Sequence, residues 1–140
     1  MFKAKTIMKT DLISVTKDTE IYEAIRIMVE NNITGLPVLN DDRTIAGIVT
    51  EKDVLRLLYD TGNRAGNVED YMTQEVASFD QNDSLIDITE SFISNHFRRV
   101  PITDNGKVTG IISRKDIIAY ILKLRRKDRT PVTADTSQQG

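Results

Sequence analysis

The sequence has no cysteine and no tryptophan, and it has one histidine and three prolines among 140 residues. Without cysteine there is no disulfide framework, no thiol nucleophile and no thiolate ligand for a metal. The single histidine, His96, gives little support to a histidine-rich metal site or a Ser-His-Asp triad. We therefore predict neither catalytic residues nor metal ligands. The lack of cysteine also fits a reducing compartment, and we predict a cytoplasmic protein.

Long apolar runs are missing as well. No run approaches the ~18 residues that a transmembrane helix needs, and no apolar region follows the cationic N-terminus as it would in a signal peptide. The net charge of -2 at pH 7 predicts no strong overall attraction to nucleic acid or to an anionic membrane. The length and the hydrophobic content of 39% allow one ordinary domain, or two small halves that share a core.

What the sequence does have is an internal repeat. Residues 36–53 read LPVLNDDRTIAGIVTEKD, and residues 100–116 read VPITDNGKVTGIISRKD. The matched pairs are Met8 with Met72, Pro37 with Pro101, Gly47 with Gly110, and Asp53 with Asp116. Because a unit this short cannot bury its own apolar face, we expect the two copies to pack on each other. That packing gives a pseudo-twofold body with two related clefts.

Each copy carries signals for a strand, a helix, two strands and a second helix. Apolar residues at helical spacing predict the first helix of each copy, with the N-cap at Asp18 or Thr19 and at Asp83 or Ser84. The first of these helices should stop at 31–32. The predicted strands are 12–16, 36–39, 45–49, 76–80, 100–103 and 108–112. The fold predicted is α/β (α+β), with two pseudo-symmetric repeats packed sheet to sheet.

The predicted boundaries follow from composition. The first repeat covers residues 1–59, a polar linker covers 60–67, and the second repeat covers 68–124. Residues 125–140 begin with basic residues and then have few apolar ones. We expect this segment to be a disordered tail.

Three motifs in the same order, each present twice, resemble a tandem pair of cystathionine-β-synthase (CBS) domains, or Bateman module. The motifs are IMKT at 7–10, NITGLPV at 32–38 and GIVTEKD at 47–53, then YMT at 71–73, FRRVPI at 97–102 and GIISRKD at 110–116. The resemblance covers roughly residues 5–124. It implies that an adenine nucleotide or S-adenosylmethionine binds in the clefts between the repeats, that binding is transmitted to a partner, and that two modules pair into a disc.

The resemblance also implies which residues contact the ligand. Asp53 and Asp116 would accept hydrogen bonds from ribose hydroxyls, for which a carboxylate has two oxygens side by side. Thr50 and Ser113 would lie beside them. The residues alone allow a second interpretation, because [Ser/Thr]-x-x-Asp at the start of a helix is also a capping pattern. The two interpretations are compatible, and both stay open at this point.

Arg98 and Arg99 are at positions where family members often have basic residues that contact phosphate. A guanidinium offers forked donors that match phosphate oxygens, although a solvated cationic pair is the alternative. The first copy has Thr34 and Gly35 there. The other ligand-binding residues that the resemblance implies are Leu36, Pro37, Val100 and Pro101. For the prolines, a structural role at a strand start or edge is the alternative.

We therefore predict a regulatory module and not an enzyme. The module would sense AMP, ADP, ATP or S-adenosylmethionine, as an energy sensor does. We expect a homodimer and an unidentified effector protein as partners. No cofactor is expected, and Mg²⁺ only if ATP carries it. The alternatives are a ligand-free dimerisation or scaffold module, and a nucleic-acid contact through the basic run at 123–129. That run also suits the C-terminal end of a helix dipole.

Overall fold

The computed structural model describes residues 2–59 and 66–128. The helices are α1 (Ala4–Ile7), α2 (Ile21–Asn31), α3 (Glu51–Leu55), α4 (Leu85–Ser94) and α5 (Arg114–Asp128). The strands are β1 (Gly35–Leu39), β2 (Ile45–Thr50), β3 (Phe79–Asp80), β4 (Arg99–Asp104) and β5 (Lys107–Ser113). Single 3-10 turns cover Arg56–Leu58 and Val68–Asp70. The mixed α/β fold predicted from the repeat is confirmed.

Local signals set the end of α2 and the start of α4. Asn32 takes the left-handed conformation (φ 53°) directly after α2, so the predicted stop is confirmed. Ser84 caps α4, its hydroxyl accepting a hydrogen bond from the Ile86 N–H at 3.0 Å. The predicted cap of α2 was wrong, because Glu20 occupies that position. The hydroxyl of Thr19 instead accepts from the Thr16 N–H at 3.1 Å and closes the turn before the helix.

Each half has an antiparallel hairpin, β1 with β2 and β4 with β5. The strand predicted ahead of each first helix is shorter than expected. In the first half it is reduced to a parallel bridge between Val15 and Val38, and in the second to the two residues of β3. The chain turns away after Val15, because the Thr16 carbonyl accepts the Thr19 N–H at 3.1 Å.

The segment that precedes each half packs on the other half. Ala4 belongs to the core of the second half, with Met8 packed against it, whereas Val68 belongs to the core of the first half, with Met72 against it. We call these two stretches the crossed segments. The repeated glycines leave room for their methionines. A Cβ on Gly110 would lie 2.6 Å from the Met8 sulfur, and one on Gly47 would lie 2.9 Å from the Met72 sulfur.

Strands β1 and β4 are buried on both faces. Leu36 and Val38 point into the core of the first half, and Pro37 between them is also fully buried. Val100, Pro101 and Ile102 repeat this pattern in β4. Burial of the face turned away from the helices is what sheet-to-sheet packing requires. The hairpin tips are joined as well, since the Val108 N–H donates to the Arg43 carbonyl at 2.9 Å.

The closing helices differ between the halves. Helix α3 has about one and a half turns before the 3-10 turn, and Leu55 and Leu58 in this segment are 63% and 82% exposed. Helix α5 continues to Asp128, so its last four residues lie within the predicted tail. Residues 60–65 of the predicted linker and residues 129–140 lie outside the described residues.

Candidate functional site

Both [Ser/Thr]-x-x-Asp motifs lie where a hairpin runs into a helix, and both cap that helix. The Thr50 N–H donates to Asp53 Oδ2 at 2.9 Å, and the Ser113 N–H donates to Asp116 Oδ2 at 2.8 Å. The Asp116 N–H returns a bond to Ser113 Oγ at 3.1 Å. The capping interpretation is therefore confirmed for both motifs. The capping bonds use Oδ2 of each aspartate, so the contacts of Oδ1 depend on other residues.

The crossed segments bring a new residue to each carboxylate. Thr73 follows Met72, and its hydroxyl lies 3.2 Å from Asp53 Oδ1 and 3.3 Å from Oδ2. Lys9 follows Met8, and its Nζ lies 3.5 Å from Asp116 Oδ1. Both residues are fixed through the backbone, since Thr73 exchanges two hydrogen bonds with Ile48, as Lys9 does with a residue of β5. Each site is thus made by both halves of the chain.

The two carboxylates differ in access. Asp53 is only 5% exposed, and Arg56, three residues later, places Nη2 3.2 Å from its Oδ1. The residue three after Asp116 is Ala119, which has no donor. Asp116 lines an open cleft of about 490 Å³, which we call the Asp116 cleft. Its lining includes Thr6, Lys9, Asp116, Ala119, Tyr120 and Lys123.

The paired arginines lie between the halves. Arg99 donates from Nη1 to the Thr34 hydroxyl at 2.8 Å, and its guanidinium lies against the backbone of Gly35. Burial lowers the pKa of Arg99 from its ordinary value, and the neighbouring charge of Glu51 opposes that shift. The Arg98 side chain is exposed, and its Nη1 lies 3.8 Å from Oε1 of Glu51. Arg99 of the second copy therefore faces Thr34 and Gly35, the residues that replace the arginine pair in the first copy.

The other four predicted contact residues lie deeper. Leu36 and Val100 are completely buried in the two hydrophobic cores. Pro37 and Pro101 are also fully buried, on the opposite faces of β1 and β4. In this conformation they hold the strands that carry the arginines and the capping motifs, and they present no exposed surface to a ligand.

Three residues at these carboxylates were missed in the sequence, namely Lys9, Arg56 and Thr73. A signal for two of them existed, because Lys9 and Thr73 each follow a methionine of the repeat. Their proximity to the aspartates depends on the crossing, which the repeat alone does not specify. Arg56 lies one helical turn after Asp53, a spacing at which side chains meet.

Within residues 2–59 and 66–128, no group of three or more His, Asp or Glu side chains could hold a metal ion. Over the same residues, no helix is long and apolar enough to cross a membrane.

Comparison with known families identifies the two halves. The CBS domain model matches residues 4–60 and again residues 68–123. These matches cover most of the chain, and they coincide with the two halves of the fold. The chain therefore belongs to the CBS domain family and contains a tandem pair of these domains.

Curated relatives share the pair but not always the rest of the protein. The chain is 34% identical to YlbB of Bacillus subtilis over 119 residues, which is 84% of this chain and 80% of YlbB. It is 32% identical to MJ1225 of Methanocaldococcus jannaschii over 117 residues, but spans only 42% of that protein. The inosine-5'-monophosphate dehydrogenase of the same organism is 31% identical over 117 residues, and the chain spans 23% of it. The match to that enzyme thus involves a small part of its length.

Solved structures support the same architecture. CBSX2 in complex with AMP superimposes with a TM-score of 0.83 at 27% identity, covering 90% of this chain and all of that chain. The CBS domain pair of MJ0100 superimposes with a TM-score of 0.78 at 22% identity, covering 89% of this chain and 98% of that chain. At that identity, MJ0100 bears on the fold alone.

Proposed function

We propose that this chain is a regulatory module that binds an adenosine-containing ligand and passes its occupancy to a partner protein. The observation that carries the proposal is the Asp116 cleft, where Lys9, Asp116 and Lys123 line one open space between the N-terminal segment and α5. A carboxylate suits two ribose hydroxyls, and ammonium groups suit phosphate. The solved AMP complex of CBSX2, a protein of the same fold, supports this class of ligand.

The remaining predicted site residues have supporting roles in this proposal. Thr50 and Ser113 hold the aspartates in position through the capping bonds, and the buried pairs Leu36–Pro37 and Val100–Pro101 keep the strands in place. Arg98 and Arg99 would contact the phosphate from the strand side. AMP, ADP, ATP and S-adenosylmethionine all remain candidate ligands.

A catalytic role is not part of the proposal. The described titratable side chains that line the cleft are those of Lys9, Asp116, Tyr120 and Lys123, and Asp116 already serves as a helix cap. The signal would therefore act by changing the equilibrium between conformations.

Self-association is also proposed, since Ile118, Ile121 and Leu122 of α5 are 65%, 59% and 52% exposed. The cytoplasm stays the predicted compartment.

A thermal-shift panel tests the proposal. The purified chain is heated with AMP, ADP, ATP or S-adenosylmethionine at millimolar concentration, with inosine monophosphate as a control for the adenine base. Ligand at 100 times its dissociation constant adds about 2.7 kcal/mol to the free energy of unfolding. We expect a clear rise in Tm with at least one of the four. A flat response to all four would instead favour a ligand-free dimerisation module.

A further inference from the structure

Asp53 and Asp116 are capping carboxylates of the same kind in different surroundings. The contacts of one can therefore be compared directly with those of the other. The carboxylate of Asp53 receives hydrogen bonds or an ion pair from Thr50, Arg56 and Thr73. A carboxylate has about four acceptor sites, and four donor atoms, N and Oγ1 of Thr50, Nη2 of Arg56 and Oγ1 of Thr73, already lie within 3.3 Å of it. A ribose hydroxyl would have to displace donors that the protein supplies itself.

The carboxylate of Asp116 is more accessible. Its Oδ2 accepts the Ser113 N–H, and its Oδ1 lies 3.5 Å from the Nζ of Lys9. The Lys9 and Arg56 side chains are both 64% exposed, but Lys9 lies farther from its carboxylate, at 3.5 Å against 3.2 Å, and the Asp116 side chain is more exposed than that of Asp53, at 13% against 7%. The Lys9 pair is therefore the easier of the two to separate. Ala119 stands where Arg56 stands in the other half, so no guanidinium competes for this carboxylate from α5.

Lys9 has the chemistry to receive the phosphate of a ligand. When a ribose hydroxyl takes Oδ1 of Asp116, the ammonium group loses its partner but stays tethered to the cleft by the backbone bonds between Lys9 and Ile111. Its long stem can then reach a phosphate bonded to the same ribose. Lys123 lines the same cleft and adds a second cation. The equivalent residue in the first half is Thr73, which is uncharged.

Building on the proposed function, we propose that the Asp116 cleft is the ligand site of this chain, and that Lys9 selects a phosphorylated adenosine ligand there. In the first half, Arg56 occupies the carboxylate of Asp53 and takes the place of a ligand. The module therefore binds one adenosine ligand per chain. The repeated motif thus serves binding in one half and internal stabilisation in the other.

Titration calorimetry on the full chain, with AMP and adenosine as probes, tests the role of Lys9. Wild type should bind one AMP per chain. Lys9→Thr copies the other half and should weaken AMP at least tenfold, about 1.4 kcal/mol, while adenosine changes less than twofold. Lys9→Arg keeps the charge and should restore most of the AMP affinity. Lys5→Thr is the matched control, because it removes one exposed charge from α1 without lining the cleft.

A second pair of variants tests the role of the guanidinium. Ala119→Arg copies Arg56 into the exposed position of α5 and should pair with Asp116. We expect it to weaken AMP and adenosine alike, each at least tenfold, because both need the carboxylate. Ala119→Met adds a side chain of similar length without charge to the same cleft position and should weaken both ligands by less than Ala119→Arg does. Circular dichroism and the melting temperature check that each variant is folded.

Three results would overturn this proposal and leave the proposed function standing. They are two equivalent AMP molecules per wild-type chain, equal loss of AMP and adenosine in Lys9→Thr, and unchanged AMP affinity in Ala119→Arg. Equal losses in Ala119→Arg and Ala119→Met would also count against it, since volume rather than pairing would explain them. If wild type binds none of the candidate adenosine ligands, both proposals fall together.

Discussion

Replacing Gly110 with alanine tests whether the N-terminal segment packs on the second half. The new Cβ would lie 2.6 Å from Met8 Sδ, 2.8 Å from Met8 Cγ and 3.0 Å from the Lys9 carbonyl oxygen. Contacts below about 3 Å are sterically forbidden for carbon, so these neighbours must move. The flexible side chain of Met8 can give way. The carbonyl of Lys9 cannot do so freely, because it accepts the Ile111 N–H at 3.0 Å.

The expected cost lies in the range for overpacking, about 1–3 kcal/mol. A shift of Met8 alone would give the low end of that range. Loosening the segment would raise the cost, because Ala4 is completely buried in the second core. We expect a loss of about 2 kcal/mol in the free energy of unfolding, measured by urea denaturation with an unchanged m-value.

A double-mutant cycle identifies the partner of Gly110. Met8→Ala should recover part of the loss in the Gly110→Ala background, because it removes the two closest atoms. Met72→Ala is the control, since Met72 contacts Gly47 instead, and its effect should add to that of Gly110→Ala within about 0.5 kcal/mol. Additivity with Met8→Ala, or coupling with Met72→Ala, would refute the crossed arrangement.

Three further predictions concern the ligand, the assembly and pH. Calorimetry on the double variant Arg98→Ala/Arg99→Ala should show AMP affinity reduced tenfold or more, about 1.4 kcal/mol, with adenosine unchanged; equal losses would mean that the arginines support the fold. Light scattering should report a dimer at micromolar concentration, and a mass near 15.8 kDa would contradict this. Hydrogen bonds from Thr44 lower the pKa of Asp42 below its ordinary 3.8, so its contribution to stability is present above that pH and lost as pH falls through the lower, folded-state pKa. The stability difference between wild type and Asp42→Asn should therefore shrink below pH 3.8, and a constant difference would exclude this linkage.

The repeat predicted the fold because local and tertiary requirements agree in it. The turns after β1 and β4, the apolar spacing of α2 and α4, and the stop at Asn32 are all local signals. The same pairs of residues recur because both halves use the same backbone contacts. Met8 on Gly110 and Met72 on Gly47 are one contact made twice.

The crossing of the segments could not be predicted from the same signals. Met8 and Met72 each precede their own copy of the repeat, and either could pack on its own half or on the other without a change in local pattern. The choice depends on which core has room for the segment. A closing helix is present in each half, as predicted, but α3 ends at Leu55 whereas α5 continues to Asp128, and Leu55 and Leu58 remain exposed.

Both aspartates of the candidate site could be predicted from the sequence, and the motif predicts the same role for both. Their non-equivalence comes from residues outside the repeated motif, chiefly Arg56 on the next turn of α3 and Thr73 on the crossed segment. A motif that caps a helix needs only the hydroxyl and the carboxylate. Whether the second oxygen is free for a ligand depends on neighbours that the motif does not include.

The two copies differ in the residues around the two carboxylates and between the halves. Contacts that hold the halves together are kept in both copies, whereas the residues around the carboxylates have diverged. The diverged pairs are Lys9 with Thr73, Arg56 with Ala119, Thr34 with Arg98, and Gly35 with Arg99. Each pair changes the number of charges beside a capped aspartate or on the strands between the halves. Packing alone would not require these changes, since Ala119 and Lys9 are exposed. The proposed division of roles, with ligand binding at Asp116 and internal pairing at Asp53, would account for them.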